Sequence, residues 1–306
     1  MVADHKSNKN GLVELFRFIC AVWVAYFHGF FPIITDNFNG IVFAVEFFFM
    51  VSGFFFLKSM EKYKEKPFLE GVRYIVWGRT QKIIVPLAIA AFSILLCNII
   101  FEMDFTFNWP LSFLWFFAAQ FLYLSLFYLI FKKTKKQSSF NVACVIIIII
   151  FMSLFWIGRV PDRVLRGPAM IAIGILVSQI PKIKIPFKDI VNSERLTMVV
   201  NVVGFTVSAA ALIYIAYLPG FAIWKLHFAC GILYPLILYF ATSLPVRSKF
   251  LNLLGELSVY IYLAQCPILI HYYATNATTQ AEFPLLCVCV VAMFIINKFV
   301  NRKKSA

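Results

Sequence analysis

Three observations predict that this chain is an all-α bundle crossing a membrane about ten times. Of its 306 residues, 62% are hydrophobic and 14% are charged, a balance foreign to soluble domains of this size. Apolar segments, most of about 17 to 24 residues, recur along the whole length, and roughly 20 suffice to span a bilayer. The charges between them are unevenly shared between alternate connections, as the positive-inside rule expects.

The expected spans are 12–34, 41–57, 83–101, 111–131, 141–157, 168–180, 198–218, 221–242, 251–270 and 284–300. The connection after the second span carries Lys58, Lys62, Lys64, Lys66, Arg73, Arg79 and Lys82. Lys132, Lys133, Lys135 and Lys136 follow the fourth, Lys182, Lys184, Lys188 and Arg195 the sixth, and Arg247 and Lys249 the eighth. Lys298, Arg302, Lys303 and Lys304 lie at the end of the sequence. The alternate connections hold only Arg159, Arg163, Arg166 and, near a span end, Lys225. Both termini are therefore expected in the cytoplasm, which an even number of spans satisfies. Pro219-Gly220 reads as a tight outer turn and Pro168 as a first-turn residue of the sixth span. Pro235 and Pro267 are expected to kink the eighth and ninth.

The net charge of +14 is explained by these short connections, and nucleic acid is not an expected partner. All seven cysteines lie in apolar segments without CxxC or CxxH spacing, so neither a disulfide framework nor a metal site is expected. The first span contains Arg and His and lacks an A-x-A site, unlike a cleaved signal. No internal repeat appears. The reading is one integral membrane domain over 1–306.

Ionisable residues inside spans are costly and mark interior cavities or function. The first span, LVELFRFICAVWVAYFHGFFPII from Leu12 to Ile34, carries Glu14, Arg17 and His28. Arg17 and His28 are eleven positions apart, which places them on one helical face about 16 Å apart. Glu46, in the second span, is expected at a depth similar to that of His28. A carboxylate bonded to one imidazole nitrogen leaves the other as a general base. The same pair also reads as a buried structural ion pair. Ser52-Gly53 reads as a close-packing site. RYIVWGRTQKIIVP sets Arg73, Arg79 and Lys82 before the third span, where basic residues bind phosphate or set topology.

Arg-x10-His in a first span, with FFFMVSGFF at Phe47 to Phe55, resembles the acyltransferase 3 family of integral membrane acyltransferases. The arginine-rich stretch ending in Pro86, LWFFAAQFLYL at Leu114 to Leu124, RGPAMIAIGIL at Arg166 to Leu176 and LLGELSVYIYLAQCPIL at Leu253 to Leu269 are similar to family blocks in the expected order. Gln265 stands where the family frequently has His, which shifts weight onto His28. The resemblance implies an acyl-CoA donor, most often acetyl-CoA, and a sugar hydroxyl of a surface polysaccharide or lipid-linked precursor as acceptor. His28 and Glu46 are then the catalytic pair, and Arg17, Arg73, Arg79 and Lys82 bind the donor. Trp115, Arg166, Tyr262 and Gln265 are substrate-binding candidates, with Arg163, His227 and His271 as further outer-side residues; Trp and Tyr there also serve as interface anchors. The expected location is the inner (cytoplasmic) membrane, among its lipids. A covalent acyl-imidazole on His28 remains a second route. A proton relay in a transporter and a non-enzymatic role in glycan assembly are the rival readings.

Overall fold

The computed structural model describes residues 9–27, 44–100, 108–134, 136–157, 162–183, 190–216, 218, 223–275 and 279–303. His28, the Pro219-Gly220 turn and the side chains of Arg79, Lys82, Arg163 and His271 lie outside what is described.

The described residues form α1 (Gly11–Phe27), α2 (Ala44–Phe54), α3 (Phe56–Met60), a 3-10 turn (Glu61–Tyr63), α4 (Phe68–Ile100), α5 (Asn108–Lys133), α6 (Gln137–Ile157), α7 (Asp162–Val177), α8 (Ile190–Ala216), α9 (Ile223–Ser243), α10 (Lys249–Thr275) and α11 (Thr279–Lys303). They contain no strand. Each of the ten apolar segments is mainly helical over its described part; 41–57 is divided between α2 and α3, and 168–180 runs past the end of α7. Among the described residues, five helices are long and apolar enough to cross a membrane, or six if α4 counts as one span bent by 62° between Phe68–Gly78 and Ile83–Leu96. The protein is thus a multi-pass helical membrane protein.

Two boundaries differ from the sequence expectation. The basic stretch expected as a loop is helical, so α4 starts at Phe68 instead of near 83. Pro168 lies inside α7, not in its first turn. Pro235 sits within α9, which stays helical on both sides of it.

One end of the bundle is tied together by polar contacts. The Asn10 side chain accepts from the Leu12 and Val13 amides at 3.0 and 3.2 Å, capping α1. Its amide donates to the carbonyls of Ala241 and Leu244 at 2.9 and 2.7 Å, at the end of α9. Lys182, after α7, donates to Thr242 at 2.6 Å and lies over the Phe54 ring at 5.9 Å. Gln179 meets Gln137 and Asn141 from the start of α6. Tyr128 of α5 donates to the Tyr63 carbonyl at 2.7 Å. The start of α1 thus shares an end with the connections after α2, α5, α7 and α9, the alternation that the loop charges predict.

The closest helix pairs are α1 with α10, α2 with α7, α6 with α7, and α8 with α9. A Cβ on Gly53 would overlap the Ile171 carbonyl, and one on Gly174 would overlap that of Met50. The absence of side chains at these two positions brings the α2 and α7 backbones together. Gly255 of α10 likewise makes room for the Glu14 side chain of α1. Around these contacts the core is aromatic: Phe47 packs on Phe16 and Tyr234 at 4.8 and 5.2 Å between ring centres. Large apolar residues such as Ile149, Val203 and Val288 point outward, as lipid contact requires and water would penalise.

Candidate active site

A cavity of about 260 Å³ lies between α1, α2, α4, α5 and α10. Arg17 and Val24 of α1 face it, together with Val45, Phe48 and Ser52 of α2. The intervals of three, four and seven positions repeat one helical face. Phe116, Phe117 and Gln120 of α5 and Ser258 and Tyr262 of α10 complete the wall, with Ile83 of α4.

The lining changes character along the cavity. Ser52 and Gln120 lie toward the end where α1 begins, and Gln120 donates to the Ser52 hydroxyl. Arg17 and Ser258 follow. Glu14 against Gly255 brings α1 and α10 alongside, and each residue places these helices' next positions about 1.5 Å further along. Val24 and Tyr262 therefore stand further outward, by about 10 and 6 Å respectively. Phe116 forms much of the aromatic wall, with ring centres 6.0 Å from Phe48 and 5.8 Å from Tyr262. Its polar groups stand in the inner and middle parts, set among the apolar Val51, Phe55, Ile83 and Phe121, and its outer part is mainly apolar.

Arg17 keeps part of its charge available. Its Nη1 donates to both Glu14 oxygens at 3.2 and 3.0 Å, while the side chain remains 24% exposed. The ion pair fixes the guanidinium against the α1–α10 wall. A planar guanidinium retains further N–H donors after one edge is used, and those suit an anion or an amide carbonyl.

The other face of α2 carries a different assembly. Glu46, Met50 and Gly53 face α7 and α9, and Glu46 is fully buried. Its Oε1 accepts from Arg166 Nε at 2.6 Å and its Oε2 from Arg166 Nη2 at 3.1 Å, a two-pronged ion pair. His227 Nδ1 lies 3.3 Å from Oε1. A carboxylate only accepts, so this contact holds a proton on Nδ1. The imidazole stacks on Phe155 at 4.1 Å, and its Nε2 has no partner among the described residues. Three helices thus meet at one buried carboxylate.

The expected site residues therefore divide. Arg17 and Tyr262 meet in the cavity, and Trp115 stands beside it with its ring 6.3 Å from both Phe49 and Phe116. Gln265 is buried on α10, 2% exposed. Arg166 belongs to the Glu46 assembly instead. Arg73 is exposed on α4; Arg79 and Lys82 precede the cavity residue Ile83 on that helix. The expected partner of Glu46, His28, lies outside the described residues, and the carboxylate has two other partners. Phe47 on Phe16 also sets this part of α2 beside the first half of α1. Gln120 and Ser258 were not singled out in the sequence. Their signal was each being a polar residue within a long apolar segment.

The model of the acyltransferase domain family matches residues 10–300, nearly the whole described bundle. The chain belongs to the acyltransferase 3 family. This makes it a membrane acyltransferase by family, with the cavity inside the matched region. No curated protein and no solved structure matches the chain.

Proposed function

We propose that this member of the family is an O-acetyltransferase of the inner (cytoplasmic) membrane. It moves an acetyl group from cytoplasmic acetyl-CoA to a sugar hydroxyl of a surface polysaccharide or its lipid-linked precursor. The observation that carries the reading is the graded cavity. The polar groups of its inner and middle parts, Ser52, Gln120, Arg17 and Ser258, suit the amides of the donor's pantetheine arm, and its mainly apolar outer part suits a small acyl group. Arg17 meets the arm within the bundle, while Arg73, Arg79 and Lys82 hold phosphates nearer the membrane face. Trp115 and Tyr262 border the reacting end.

His28 follows Val24 by four positions, the spacing that repeats a helical face. As general base it takes the proton of the acceptor hydroxyl as that oxygen attacks the thioester carbonyl, and the CoA thiolate leaves. Glu46 acts as a positioning residue, seating α2 through Arg166 and His227. CoA release from acetyl-CoA by the purified protein tests the activity. Loss of O-acetyl groups from surface glycans in a deletion strain, read by NMR, tests the acceptor class.

Two further results are expected. The chain crosses the membrane ten times with both termini cytoplasmic. In a cysteine-free background, Asn37→Cys and Asn276→Cys are then labelled from outside intact cells, whereas Lys64→Cys and Lys135→Cys are protected. The reverse pattern sinks the orientation. Arg17→Ala weakens CoA binding by roughly ten- to a hundredfold, the loss of about 1.5–3 kcal/mol from a hydrogen bond to a charged group. Unchanged affinity in a folded variant returns Arg17 to an ion pair with Glu14 alone.

A further inference from the structure

The side chain of Gln265 carries a buried donor with no partner among the described residues. It follows Tyr262 by three positions and Ser258 by seven, so all three share one face of α10. Ser258 and Tyr262 line the cavity. Gln265 therefore continues that line by about one helical turn outward, to the apolar part where the acyl group is placed. The residue is 2% exposed. Its Nε2 is enclosed and has no hydrogen-bond partner among the described residues.

A buried N–H without an acceptor destabilises a fold, whereas an apolar side chain of similar shape in its place is neutral or better. In a hydrocarbon surrounding the imbalance is larger, because no water reaches the group. Ser52 and Ser258 satisfy their own hydroxyls on backbone carbonyls at 2.9 and 2.7 Å. Gln265 Nε2 makes no such bond among the described residues. Its position and its unmet donor together point to an acceptor atom supplied from outside the chain.

We propose that the Gln265 amide donates to the carbonyl oxygen of the bound thioester and holds the oxyanion that forms there. This rests on the acyltransferase reading above. When the acceptor hydroxyl oxygen bonds to the carbonyl carbon, the π electron pair moves to the carbonyl oxygen. Nε2–H stabilises that negative charge. The charge then returns to re-form the C=O bond, the C–S bond breaks, and the CoA thiolate leaves, while the base carries away the hydroxyl proton. An amide suits this position because it stabilises the developing charge without itself changing protonation state. It is already fixed by packing before the charge appears.

The test uses the full chain in lipid nanodiscs, acetyl-CoA as donor and glycan extracted from the producing cells as acceptor. Gln265→Leu and Gln265→Met remove the donor and keep the bulk. Both are expected to lower kcat by about 10²–10³-fold, the loss seen when an oxyanion donor is deleted. The KM for acetyl-CoA is expected to stay within about twofold, since the interaction strengthens only in the transition state. The thermal midpoint is expected to equal or exceed that of the unaltered protein. Gln265→His, which returns an N–H donor, recovers part of the rate.

Near-normal kcat in either apolar variant overturns the proposal. So does a fall in kcat matched by a fall in thermal midpoint in both, because that is the pattern of a structural residue. Absence of acetyl-CoA turnover by the unaltered protein is a different outcome and overturns the acetyltransferase reading itself, together with this inference.

Discussion

His28→Ala abolishes acyl transfer while CoA binding survives. General acid–base catalysis typically contributes about 10²–10⁴-fold, and the loss of a positioned group adds to this. The motive is the Arg-x10-His spacing in a chain that belongs to the family, together with the cavity that Arg17 and Val24 line. The discriminating variant is His28→Gln, which keeps hydrogen bonding but has no basicity near neutral pH. If His28 is the base, this variant is as impaired as the alanine variant. A folded His28→Gln protein with near-normal turnover removes His28 from the mechanism. His227 is then the next imidazole to examine, since Glu46 already orients it and its Nε2 lacks a partner among the described residues.

Arg166→Ala produces the largest loss of stability. The substitution leaves the Glu46 carboxylate fully enclosed with only His227 beside it. Breaking one side of a buried ion pair costs about 3–5 kcal/mol, because the remaining charge has lost its compensation. Glu46→Ala strands the guanidinium in the same way. Replacing both with apolar residues, Glu46→Leu with Arg166→Met, removes both charges together and recovers much of the loss. Thermal unfolding in one detergent, with singles and double compared, reads this coupling. Additive losses would show that the two residues do not stabilise the fold through each other. Acyl transfer falls in both single variants as well, since α2 also forms a wall of the cavity.

The helices were legible because each apolar segment is bounded by charge or by Gly and Pro. Gly53 was legible as a packing residue, and its contact with the Ile171 carbonyl explains why. Arg17 and Tyr262 were each singled out within matched blocks on two separate helices, and that they line one cavity is a finding of the structure. The pairing of Glu46 was not legible. Arg166 and His227 are 120 and 181 positions away from it, and nothing local tells a buried carboxylate which distant cation it will meet. The expected partner His28 lies outside the described residues, and helix lengths alone do not fix how far α2 slides along α1. The aromatic contact of Phe47 with Phe16 decides that register. The start of α4 was missed for another reason. Its charged residues read as a loop, although little in Phe68–Lys82 opposes a helix apart from Gly71 and Gly78.

Helix α2 presents two unrelated jobs on opposite stripes. Val45, Phe48 and Ser52 look into the cavity, while Glu46, Met50 and Gly53 anchor the helix to its neighbours. For protein engineering this separates two kinds of library. Diversity at the first set reshapes the chamber and retunes which donors enter, with the anchoring left intact. Diversity at the second set mostly yields protein that fails to assemble.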